Sequence, residues 1–283
     1  MTLQRFRSNP PARAGFTMIE LIAVIGIIGV LFTLLGAGYN LAMDSAATAR
    51  ETSAARNAMT AFDAYAQEHK GRLMPGHQTP TKTVRDAAGQ PVLGPAASRW
   101  YWKLLPYLDN NSEALFVNES GALYSEILRQ GKEDPYTISL YPSLGYNGQN
   151  VGGDFENPRF SPENGLLGPN AVVTRLAQAH NPGDLIVFVS AWSEPPSWSD
   201  ADYAGFWNVT APRGLRTQWS TAGDPGATGH VHARHDGHAV VAFLDGHVEL
   251  KSLEALSDMR LWSNAAAIAN EADYRPTISR SSR

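Results

Sequence analysis

The stretch Gly15 to Gly38, GFTMIELIAVIGIIGVLFTLLGAG, is apolar except for one carboxylate, Glu20. A helix of about 20 apolar residues covers the hydrocarbon core of a bilayer at about 1.5 Å per residue, so residues 16–38 are expected to form one transmembrane helix. Residues 1–15 carry Arg5, Arg7 and Arg13 and no acid, the pattern of a basic leader that stays in the cytoplasm. The expected location is then the cytoplasmic membrane, crossed once, with the chain beyond about residue 40 outside. A cleaved secretory signal ending at the small residues Gly36 and Gly38 is the alternative. Glu20 argues against it, because an acid inside a membrane helix carries a penalty of a few kcal/mol unless something pairs with it.

The residues Gly15-Phe16-Thr17-Met18-Ile19-Glu20, after a basic leader and before an apolar helix, resemble the processing signal of type IV prepilins and type II secretion pseudopilins. The resemblance implies a prepilin peptidase that cuts after Gly15 and methylates Phe16. It also implies that Glu20 pairs with the terminal amine of a neighbouring subunit, which would neutralise its charge only in the polymer. The implied partners are the peptidase/methyltransferase, other pilin-like subunits in a homo- or hetero-polymer, and an inner-membrane assembly platform. Gly29, Thr33 and Ala37 recur every fourth residue, a stripe on which another helix can approach closely.

From Tyr39 to Lys70 there is no proline or internal glycine, and Ala55, Met59, Phe62 and Ala66 fall on one helical face. Residues 39–70 are read as a continuation of the same helix, stopped at Gly71. Residues 71–283 are read as an α+β head domain, so the expected fold is a long N-terminal helix, membrane-spanning in its first half, packed on a head with a C-terminal antiparallel sheet. Within the head, residues 72–98 read as a loop and WYWKLLPYL, Trp100 to Leu108, as an aromatic core segment. LYPSLGYNGQNVGG reads as turns, and Asp184 to Trp192 as a buried strand. Leu253, Leu256, Met259 and Leu261 have helix-like spacing. The last residues, RPTISRSSR, read as a frayed tail.

Five of the eight histidines lie in HVHARHDGHAVVAFLDGHVELKS, at His230, His232, His235, His238 and His247. The opening is similar to half of a His-x-His-x-Asp-His zinc motif, but Arg234 stands where that motif needs its aspartate, and a cation repels a metal. The strands Ala239–Leu244 and His247–Leu250 flank Asp245-Gly246, a pair that favours a two-residue type I′ hairpin. That register places Phe243 opposite Val248 and Val241 opposite Leu250, an apolar face, with Ala242, Leu244, His247, Glu249 and Lys251 on a mostly polar one. A catalytic pair of His235 and Asp245 is excluded, because an extended strand would separate them by roughly 25 to 30 Å.

His235, nine residues, then Asp245-Gly246 is similar to the C-terminal H-X9-DG signature of bacterial prepilin-like proteins. The resemblance implies a structural subunit, not an enzyme. Major pseudopilins use calcium in a C-terminal loop, which makes Asp154 and Glu156 weak candidate ligands; no other cofactor or metal is expected. There is no cysteine, which excludes disulfides and thiolate chemistry. Net charge is −4 and, with the three leader arginines set aside, 20 basic residues face 27 acidic ones, which argues against a nucleic-acid partner. Two other classes remain open on the residues alone: an anchored binding module using Trp198 and Trp207 for an envelope polysaccharide or protein, and a zinc hydrolase using His230, His232 and His235.

Overall fold

The computed structural model describes residues 16–278 except 163–166, 169, 215–217 and 221–222, and leaves aside the side chains of 34–38 and 40. The basic leader and Gly15 lie outside the described residues. The chain divides into two units, Met1–Ser45 and Ala46–Arg283. Helix α1, Met18–Glu68, is 51 residues long and contributes to both.

In the first unit the helix opens with a reciprocal cap. The Thr17 backbone N–H and hydroxyl each donate to Glu20 Oε2 at 2.8 Å, and the Glu20 N–H donates back to Thr17 Oγ1 at 3.3 Å. This is a capping box, so Glu20 has a local partner that accounts for an acid in the first helical turn. The apolar side chains that follow are exposed all round the helix, among them Ile19, Ile22, Ile27, Val30 and Phe32.

The expectation of a transmembrane helix over 16–38, and with it a single-pass membrane location, is corrected. Among the described residues no helix is long and apolar enough to cross a membrane. The architecture found is α+β with one four-stranded antiparallel sheet and, among the described residues, no helix able to span a membrane.

In the second unit α1 buries Ala55, Met59, Phe62 and Ala66 and ends with Lys70 and Gly71 in left-handed backbone, where the Gly71 N–H caps the Ala66 carbonyl at 2.8 Å. The sheet runs in the order β1 (Leu144–Tyr146), β2 (Ile186–Ser190), β3 (His238–Phe243) and β4 (Val248–Ser252), each pair antiparallel. Both faces are covered. Val240, Ala242 and Leu244 join the core that includes α1, whereas Ala239, Val241 and Phe243 pack with Leu256, Met259 and Trp262. On the α1 side, Phe62 meets Phe188 edge-on at 6.1 Å and Tyr146 at 6.0 Å, and Trp100 (helix α2, Trp100–Leu104) meets Phe188 at 5.2 Å. Val187 and Phe188 share that face despite being consecutive, because a register shift between Ile186 and Phe188 interrupts the alternation.

Three readings of the head change. The segment around Leu144-Gly145-Tyr146 is not a turn but strand β1, at the sheet edge beside β2. Gly145 permits it, since a methyl there would fall 2.4 Å from Val209 Cγ1. The stretch after Ser252 is not one helix but two tight turns, 255–257 and 259–261, followed by the short helix α5 (Asn264–Ala269). Asp258 breaks it with an extended backbone while its carboxylate caps the Arg260 N–H at 2.9 Å.

The third change is the register of the last hairpin. Ala242 pairs with Val248 and Val240 with Leu250, one residue off the expected register, so Val248 and Leu250 belong to the α1 face and Leu244 is buried there. A two-residue type I′ turn needs positive φ at both central residues, and here only Gly246 has it, at 93°. The loop therefore takes three residues, Leu244 to Gly246, closed by Gly246 N–H to Phe243 O at 2.9 Å and Phe243 N–H to His247 O at 3.0 Å. Gly246→Ala is expected to lower unfolding stability by about 1–2 kcal/mol, because the methyl meets only ordinary contacts and the cost is the left-handed backbone. Chemical denaturation of the two chains checks this, and an unchanged midpoint refutes it.

Candidate functional site

A buried polar cluster forms where α1 meets the residues leading into β3. Asp236 and Gly237 have φ of 50° and 75°, the pair of positive values a type I′ turn requires, and His235 and His238 close it with reciprocal backbone bonds at 3.0 Å. The tight Asp-Gly turn thus lies at 236–237. It brings Arg234 and His235 against α1.

Glu51 of α1 is fully buried and receives both ends of the Arg234 fork, Nε to Oε2 at 2.8 Å and Nη2 to Oε1 at 2.6 Å. His235 Nε2 lies 2.9 Å from Glu51 Oε2, and its Nδ1 lies 3.0 Å from Thr48 Oγ1, one helical turn earlier. The remaining Arg234 donors reach the carbonyls of Ala191 and Ser143 at 3.0 Å, so the guanidinium joins α1 to the segments next to β1 and β2. Asn118, at the start of helix α3 (Asn118–Arg129), donates to the Ala47 carbonyl at 3.0 Å. The Arg234 guanidinium also lies 5.2 Å from the centre of the Tyr203 ring. Burial pushes the Glu51 carboxyl up, but the Arg234 charge and hydrogen bonds from His235 and Arg234 outweigh it and hold the group at about 2. Bidentate pairing satisfies two charges that would each be very costly alone in the core.

The other end of the signature meets the same helix. Asp245 Oδ1 accepts from His247 N–H at 3.1 Å and pairs with His247 Nδ1 at 2.6 Å. Gly246 lies against Asp63, whose Oδ2 would be 3.8 Å from a methyl at that position. Partial burial and the nearby Asp245 charge hold the Asp63 carboxyl above its usual range. Glu51 and Asp63 are separated by about 18 Å along α1, and the six residues of β3 cover about 20 Å.

The predicted metal and catalytic candidates are not brought together. His230 stacks on Phe206 at 3.9 Å and its Nδ1 lies 3.0 Å from the Trp192 carbonyl. His232 stacks on Trp192 at 4.8 Å, and burial and the Arg234 charge hold its imidazole down at about 4. His235 faces Glu51 instead. Asp154 accepts the backbone N–H groups of Glu156 and Asn157 at 3.1 Å, and Glu156 Oε1 accepts from Thr79 at 2.6 and 2.7 Å, so the two carboxylates serve separate loop bonds. Among the described residues no three His, Asp or Glu side chains converge on a metal site. Trp198 and Trp207 pack against the core, the first under Lys132 at 4.5 Å and the second beside His77 at 5.3 Å.

Glu51 is the residue that pattern reading overlooked. Stepping the apolar stripe of Ala55, Met59, Phe62 and Ala66 back by four residues lands on it, and an acid on a buried helical face calls for a cation such as Arg234. Comparison with family models, with curated proteins and with solved structures finds no match to the chain.

Glu51→Gln is expected to destabilise the protein by about 3–5 kcal/mol, since it strands the buried Arg234 charge. Removing the exposed partner of Lys251 with Glu249→Gln should cost less than about 1 kcal/mol. Equal losses in a denaturation series would contradict a buried ionic anchor. Acid sensitivity follows with its sign. The unfolded Glu51 binds a proton near 4.5 and the folded one only near about 2, so this stabilisation is complete above pH 4.5 and drains away as pH falls toward 2. The Glu51→Gln chain should lack that component when stability is followed across this window.

Proposed function

We propose that the chain is a structural subunit of a pilin- or pseudopilin-like fibre, freed of its leader by cleavage after Gly15 and assembled through the first unit of α1. The observation that carries the reading is the apolar surface from Phe16 to Phe32, whose large side chains are exposed on every side, continued by Tyr39, Leu41 and Met43. Such a surface in water is covered by like surfaces when one copy meets another, because each buried CH₂ contributes about 0.8 kcal/mol. The resemblances at Gly15 to Glu20 and at His235, Asp245 and Gly246 support the same reading.

Glu20 would have two states in this scheme. In the isolated chain it caps its own helix through Thr17; in the fibre the carboxylate turns to the ammonium of a neighbour's Phe16 and sets the stagger between subunits. The second unit would be carried along, its part of α1 held to the segments around the sheet by Glu51. No step of this function needs a reaction at the head.

Co-production with a prepilin peptidase/methyltransferase should yield a mature chain whose mass begins at N-methylated Phe16 and which sediments as fibres. Glu20→Gln keeps a side chain able to complete the cap, so the helix should persist while fibre yield falls at least tenfold. An uncut leader, or a Phe16-initiated chain that stays monomeric, would reject the proposal.

A further inference from the structure

The loop 78–89 crosses the end of α1 and the helix α2 and encloses a cavity of about 870 Å³. A second cavity of about 580 Å³ adjoins it, and the two share Tyr65, His69, Gln78 and Thr81, so they make one groove. Each half has the size of an ordinary small-ligand site. Tyr65 and His69 stack at 3.9 Å with only 11° between their planes, and together form a flat aromatic step between the two halves.

The groove is rich in donors. Lys82 and Arg85 line the larger half, where Lys103 Nζ already donates to the Ser98 and Arg99 carbonyls at 2.6 and 3.3 Å, and Arg72 and Arg175 line the smaller, which has no acid in its wall. The two acids of the larger half are already engaged: Glu68 Oε2 accepts the Tyr107 hydroxyl at 2.6 Å, and Asp86 Oδ1 accepts two N–H groups of its own loop. Trp102, 2% exposed, backs the same wall with its indole Nε1 buried out of a ligand's reach.

We propose that this groove binds a carboxylated oligosaccharide, its sugar face on the Tyr65–His69 step and its carboxylates toward Lys82 and the arginines at either end. Sugar rings lay apolar C–H faces on aromatic side chains, and carboxylates and ring oxygens supply the acceptors that the walls lack. A uniformly charged polymer such as single-stranded nucleic acid suits it less, because Glu68 and Asp86 remain in the wall and the chain as a whole is negative.

The test is calorimetric titration of the full chain with a galacturonic acid hexamer and with its methyl ester, which keeps the shape and removes the charge. The acid should bind, the ester should bind at least tenfold more weakly, and raising salt from about 0.05 to 0.5 M should weaken the acid further. Lys82→Ala and Arg85→Ala lie on an exposed loop and should each lower affinity about tenfold with the circular dichroism spectrum unchanged. Absence of binding by the acid, equal binding by the ester, unaltered affinity in both loop variants, or displacement by an oligothymidylate of equal length would each overturn the proposal.

Discussion

Everything in the second unit is organised around a carboxylate that has no access to water. Glu51 enters the core on the same helical stripe as Ala55 and Phe62, and without Arg234 and His235 that stripe could not pack. A buried ion pair contributes modest net stability, because desolvation offsets most of the attraction, but it discriminates strongly between registers. Sliding α1 by one turn along the sheet would take Phe62 from its Tyr146 and Phe188 contacts and would also separate two buried charges, so apolar packing and the ion pair select the same docking of the helix.

The two Asp-Gly pairs show how backbone dihedrals direct side chains to that anchor. Asp236-Gly237 adopts positive φ at both residues and turns the chain tightly, so Arg234 and His235 arrive beside α1 as β3 departs. Asp245-Gly246 does so at Gly246 alone, and the longer loop shifts β4 by one residue. That shift puts Val248 on the α1 side and leaves β4 as a partly exposed edge. With α1 over one face of β3 and Trp262 and Met259 over the other, β3 is buried on both sides. This explains why its sequence, Ala-Val-Val-Ala-Phe, lacks polar alternation.

The proposed fibre role and the proposed groove occupy different ends of α1 and make different demands on it. The large apolar side chains described in the first unit are exposed, whereas Tyr65, His69 and Glu68 of the second belong to the rim of a cavity floored by the core.

Much of the fold was legible locally. The stripe on α1, the stop at Gly71, the strand after Asn181-Pro182-Gly183 and the paired strands at the end all carry short-range signals of periodicity or turn chemistry. The membrane crossing was read from hydropathy and is not supported. Sites were less legible: the histidines looked like a cluster because they are close in the chain, yet His230, His232 and His235 face Phe206, Trp192 and Glu51 respectively. By itself the sequence determined where helix and strand could form, because those preferences depend on residues a few positions apart. The register of the last hairpin, the pairing of Glu51 with residues 183 and 184 positions away, and the groove beneath residues 78–89 were decided only by the tertiary structure. Each depends on which distant side chain must share a buried volume or neutralise a buried charge, and that information does not reside in any local stretch.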